Sequence, residues 1–192
     1  MKVQPRMVIN FIAFQSGWLA CVLGGANEQP VAGTLFVAAL ISLHLTLAHR
    51  RLPEASLIAI AALIGFIWDS CLVAFGLMNY PTGNFAPGLA PYWIVAMWAL
   101  FATSLNLSMA WLKGRTQLAV LFGAVGGPLA YMAGERLGGV QMPDPLLALL
   151  AQAIGWSVLL PLLTTLASRL NGFESPSAPR WSQNPRGVGG HA

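Results

Sequence analysis

Between residues 7 and 170 the chain passes through six apolar stretches, at 7–25, 30–48, 54–78, 91–112, 116–138 and 145–170, with short polar gaps between them. A helix rises about 1.5 Å per residue, so about 20 apolar residues cross the hydrocarbon core of a bilayer. In lipid every backbone N–H and C=O must be satisfied internally, which leaves only helices and closed barrels. The stretches are continuously apolar rather than alternating, and this selects helices. Basic residues then set the topology. Lys2, Arg6, Arg50, Arg51, Lys113, Arg115, Arg169, Arg180 and Arg186 all fall on one side of a six-span arrangement, and Arg136 alone falls on the other. Basic residues collect on the cytoplasmic side. The expected fold is therefore an all-α integral membrane protein, a six-transmembrane-helix bundle over residues 1–170 with both termini cytoplasmic. Residues 171–192, rich in Pro, Gly and Ser, read as a disordered cytoplasmic tail.

Composition agrees with lipid as the main solvent, because only 8% of residues are charged against about 25% in soluble domains. The net charge of +4 sits in short loops and the tail. It is a topology signal, and it makes membrane lipids rather than nucleic acid the expected partner. The first stretch has the basic flank and small residues of a cleaved leader. Its length, and the interruptions at Asn10 and Gln15, favour an uncleaved helix instead. Cys21 and Cys71 both lie within spans and are expected to be free thiols. No cofactor or metal is expected. His44 has no second His or Cys at ligand spacing, and the chain has neither His-rich boxes nor a Gly-rich phosphate loop.

Polar residues inside apolar stretches are the functional candidates, because a charge in the bilayer is costly. Asp69 interrupts the third stretch, and Glu135 and Arg136 end the fifth. With the loop 79–91, these three are expected to converge on one site in the outer half of the bundle. Two readings of Asp69 stand. It pairs with Arg136 and holds the third helix to the fifth, or it binds a proton and acts as a relay or general acid–base group. Asn10, Gln15, His44, Asn106 and Gln152 are further polar candidates, and Asn10, His44 and Asn106 should gather near the inner end. Gly65 and Gly76 share the heptad face of Asp69. Gly123, Gly127 and Gly134 form a small-residue ridge on the fifth helix, where Pro128 should introduce a kink. That ridge could pack within the bundle or serve a homodimer.

The phrases Trp68–Asp69–Ser70, Tyr80 to Asn106 (YPTGNFAPGLAPYWIVAMWALFATSLN) and Gly126 to Gly138 (GGPLAYMAGERLG) resemble an uncharacterised family of small bacterial inner-membrane proteins, a domain-of-unknown-function family. The resemblance covers nearly the whole chain except the tail. It implies a multi-pass protein of the bacterial inner membrane. Through genes for fatty-acid methyltransferases and flavin oxidoreductases near those of the family, it also implies a role beside a lipid-modifying enzyme. It carries over no catalytic residue. Three functions follow as expectations: an accessory or scaffold protein in membrane lipid or fatty-acid modification, a lipid-active enzyme using Asp69 and Glu135, or a small proton-coupled transporter.

Overall fold

A computed structural model describes residues 5–174. Its six helices are α1 (Pro5–Ala26), α2 (Pro30–Leu47), α3 (Arg51–Ala74), α4 (Tyr92–Leu105), α5 (Thr116–Arg136) and α6 (Pro145–Arg169). All but α4 are long and apolar enough to cross a membrane. Local chemistry sets the ends. Pro30 and Pro145 open their helices at the position where a missing N–H costs nothing, and Asp144 caps α6 by accepting from the Leu147 N–H at 3.1 Å. Both α3 and α5 end in Schellman motifs around left-handed glycines. Gly76 (φ 69°) and Gly138 (φ 83°) turn the chain so that the Leu77 and Gly139 amides return to the Leu72 and Gly134 carbonyls at 2.9 Å. This corrects the expectation for Gly76. It lies beyond the helix and touches nothing within 4 Å of its missing Cβ, so its role is to end α3 rather than to pack.

The fourth span is also shorter than expected. At about 1.5 Å per residue, 14-residue α4 falls short of a hydrocarbon core of about 30 Å. The chain leaves the helix at Asn106, turns, and makes a short 3-10 turn at Ala110–Leu112. Asn106 explains the break, since its side chain is bound to Glu54 and to the Leu170 carbonyl.

The helices pack as three antiparallel pairs, α1 with α2, α3 with α4 and α5 with α6. Helix α4 is central and touches α1, α2, α3 and α6. One end of the bundle gathers the start of α1 and the end of α6. There the Arg50 amide donates to the Gly172 carbonyl (2.9 Å), and Asn10 reaches Thr103 and Ser108. At the other end Thr82 in the α3–α4 loop donates to the Gly25 carbonyl (2.7 Å), and Asn79 pairs with Gln141 of the α5–α6 loop. Residues 171–174, expected as the start of a disordered tail, are docked in this structure. The Gly172 amide donates to Glu54, and Phe173 lies against the His44 ring. The rest of the expected tail lies outside the described residues.

The glycine ridge of α5 is used inside the chain. A Cβ at Gly123 would overlap the Trp156 carbonyl, and one at Gly127 would overlap the Trp156 ring. Both glycines let α6 approach closely. Gly65 does the same for Trp98 on α3–α4, while Gly134 sits more loosely, 3.5 Å from Val140.

Candidate functional site

Asp69 is fully buried on the inward face of α3, one turn after Gly65. The missing side chain at Gly65 lets the Trp98 indole of α4 lie flat on α3. From there Trp98 Nε1 donates to Asp69 Oδ2 at 2.7 Å. The α3–α4 loop brings Tyr80, whose hydroxyl donates to Asp69 Oδ1 at 2.7 Å, and α5 brings Tyr131, whose hydroxyl donates to the same oxygen at 2.7 Å. Buried Tyr and Trp need partners for their polar tips, and here three of them share one carboxylate. Burial first, and the nearby Asp69 charge second, push the Tyr80 phenol well above the ordinary tyrosine value, so its proton stays in place.

The expected convergence with Glu135 and Arg136 does not occur. Arg136 is exposed and makes no ion pair among the described residues, while Glu135 accepts the Met142 amide at 3.1 Å and so pins the α5–α6 loop. The reason is geometric. The two residues lie in the last turn of α5, whereas Tyr131, more than one turn earlier, faces Asp69. Trp93, an aromatic at the start of α4, is turned into the core. It is 1% exposed, packs on Gly25 and donates to the Thr82 carbonyl at 2.9 Å.

The other polar candidates divide between two places. Gln152 lies beside the site, accepting from Trp68 Nε1 at 3.3 Å and donating to Met78 Sδ at 3.6 Å. Asn10, His44 and Asn106 do lie at the terminal end, and the last two surround a residue the sequence reading passed over. Glu54 is fully buried and accepts from His44 Nε2 (2.8 Å), Asn106 Nδ2 (2.7 Å) and the Gly172 amide (2.9 Å). Lys113 bonds Asn106 from the other side. Burial draws the Lys113 ammonium below the usual lysine range, with the negative charge of Glu54 opposing the shift. This cluster ties α2, α3, α4 and the segment after α6 together. Cys21 is buried in the core and Cys71 is exposed on α3, and both are free.

Between α1 and α4 on one side and the α5–α6 hairpin on the other lies a cavity of about 660 Å³. Helices α1 and α5 are not a packed pair, so the cavity opens sideways between them, past exposed Phe11 and Leu129. Gln15, polar in mid-span, sits at this mouth. The inner wall is aromatic. Trp98 and Trp156 stack at 4.6 Å with 12° between planes, and Phe101 meets Trp156 edge-on at 5.2 Å. Tyr80, Trp98 and Tyr131, the three donors to Asp69, all line it. Trp156 Nε1 is buried there and has no hydrogen-bond partner among the described residues. Neither Glu135 nor Arg136 is among the lining residues.

The family model described as a protein of unknown function (DUF2878) matches residues 7–162, from the first turn of α1 to within α6. The chain belongs to the DUF2878 family. The matched region holds Asp69 and its three donors, both walls of the cavity and the Glu54 cluster apart from Gly172. Comparison with curated proteins and with solved structures gives no match.

Proposed function

We propose that the chain is a six-span protein of the bacterial inner membrane, with both termini cytoplasmic, that binds a membrane-embedded amphiphile in its lateral cavity and serves as an accessory protein in the handling or modification of membrane lipids. The observation that carries this reading is the cavity itself. Its 660 Å³ lies in the range of about 300–1,000 Å³ typical of small-ligand sites. It opens between two helices rather than at a bundle end, so a lipid chain reaches it from the bilayer without crossing water. Its walls are apolar and aromatic, and its polar groups are few and convergent.

Support for the orientation comes from charge. Arg6, Arg50, Arg51, Lys113, Arg115 and Arg169 flank the same bundle end, and Arg136 is at the other. In this reading the fourth crossing, begun by the short α4, runs on through the turn at 106–112. Binding is preferred to catalysis because, among the described residues, no second carboxylate touches Asp69, and Glu135 is engaged elsewhere. A lipid-modifying enzyme would then be a partner rather than this chain.

The test is a lipidomic comparison of a deletion strain with its parent, complemented by the wild type or by Gly126→Leu. Gly126 lines the cavity, and a Cβ there meets nothing within 4 Å, so a leucine side chain starts from an unobstructed position on the cavity wall. Altered lipids restored by the wild type but not by Gly126→Leu are expected. A deletion strain with unchanged lipids would overturn the reading.

A further inference from the structure

We propose that the lateral cavity selects amphiphiles with a positively charged end, an ammonium group on a single apolar chain. The inference rests on the binding reading above and adds the charge of the ligand.

It starts from the hydrogen-bond pattern at Asp69. Tyr80, Tyr131 and Trp98 each donate to its oxygens at 2.7 Å. Trp98 Nε1 can only donate, the two phenols can donate or accept, and the ionised carboxylate is the form to which all three donate at once. An isolated ionised carboxylate inside a bilayer is costly, and in proteins such a charge is normally paired. No cationic partner for Asp69 is present among the described residues. Among the described residues the one ion pair is His44–Glu54 at the terminal end, and Arg136 is exposed. The cavity beside Asp69 is lined by no Lys, Arg, His, Asp or Glu. A single negative charge thus backs the wall of an otherwise neutral, apolar space, where Coulomb interactions are far stronger than in water.

The wall transmits that charge. The protons of Tyr80 and Tyr131 are committed to Asp69, so toward the cavity both phenol oxygens can only accept. Trp18, Trp93, Trp98 and Trp156 line the same cavity, and indole is the ring that attracts ammonium groups best. An anionic end group would meet Asp69 with no cation to offset it. A neutral alcohol could bond one phenol but would leave the buried charge unpaired.

The experiment uses the full chain in neutral maltoside micelles and three probes with the same brominated hexadecyl chain, ending in trimethylammonium, hydroxyl or sulfate. Bromine quenches the tryptophans that line the cavity, and affinities are expressed per mole fraction of probe in the micelle. The ammonium probe is expected to bind about tenfold more tightly than the alcohol, equivalent to about 1.4 kcal/mol, with the sulfate weakest. In Asp69→Asn the ammonium probe should fall to the affinity of the alcohol. If that variant does not fold, Tyr131→Phe keeps the carboxylate and removes one acceptor from the wall, and selectivity for ammonium should drop by about threefold or more. Equal binding of ammonium and alcohol in the wild type, or selectivity that survives in the folded variant, would overturn the inference while leaving the cavity reading intact. Absence of quenching by all three probes would overturn the cavity reading and this inference together.

Discussion

Three neighbouring glycines of α5 should respond in opposite ways to the same methyl group. Gly126 faces the cavity and its Cβ position is empty. Alanine there gains about 0.5–1 kcal/mol by stiffening the unfolded chain and favouring helix. Gly123 lies on α6, where a Cβ overlaps the Trp156 carbonyl oxygen, reaches its carbon at 2.7 Å and meets Leu160 Cβ at 3.2 Å. The obstacle is backbone, so no rotamer relieves it and the helices must part. Overpacking of this kind costs about 1–3 kcal/mol, and a rigid carbonyl puts Gly123→Ala at the upper end, for a net loss of about 2 kcal/mol after the helix gain. Gly127, against Trp156 Cβ at 2.8 Å and its ring, should follow Gly123. The two classes then differ by about 3 kcal/mol, or about 6–12 °C in Tm at this chain length. Thermal unfolding in detergent, followed by size-exclusion fluorescence, measures the order. Gly126→Ala at or above wild type with Gly123→Ala well below it is expected. Equal midpoints, or the reverse order, would refute the close α5–α6 contact and with it the walls of the cavity.

The Asp69 network should behave as one unit. Trp98→Phe leaves Asp69 Oδ2 without its donor and should cost about 1–3 kcal/mol. Tyr80→Phe and Tyr131→Phe, which share Oδ1, should be non-additive by at least about 0.5 kcal/mol in a double-mutant cycle. Arg136→Gln should leave the midpoint where it is, since Arg136 is exposed and pairs with no acid among the described residues; a large loss would restore an ion pair with Asp69. Glu54→Ala strips a buried acceptor from His44, Asn106 and Gly172 and should cost at least about 2 kcal/mol. It should also increase proteolysis at residues 171–174, measured by limited digestion from the terminal end.

Periodicity and charge placement made the helices legible to within a few residues, because a bilayer-length apolar run has few other solutions. The exceptions are physical. Helix α4 stops at Asn106 because a tertiary partner, Glu54, draws its side chain away, and no local pattern encodes that partner. Asp69 stood out as a charge in an apolar run, and its inward face followed from Gly65. Its partners did not follow. An acid and a base at the ends of neighbouring spans suggested an ion pair, whereas the structure meets the carboxylate with three aromatic donors from three elements. A signal was present in the polar tips of Tyr80, Trp98 and Tyr131, each of which needs a partner when buried. Glu54 was masked by its place in the first turn of α3, where an acid is ordinarily a helix-dipole residue. The cavity depends on α1 and α5 standing apart, which is a property of tertiary packing.

The central claim is that a membrane-embedded chain occupies the space between α1 and the α5–α6 hairpin. The most direct measurement is quenching of tryptophan fluorescence by a brominated hexadecyl alcohol in the wild type and in Gly126→Leu, at equal mole fraction in neutral micelles. Saturable quenching in the wild type, largely lost in a folded Gly126→Leu, is expected. Quenching of equal depth and midpoint in both proteins would contradict it.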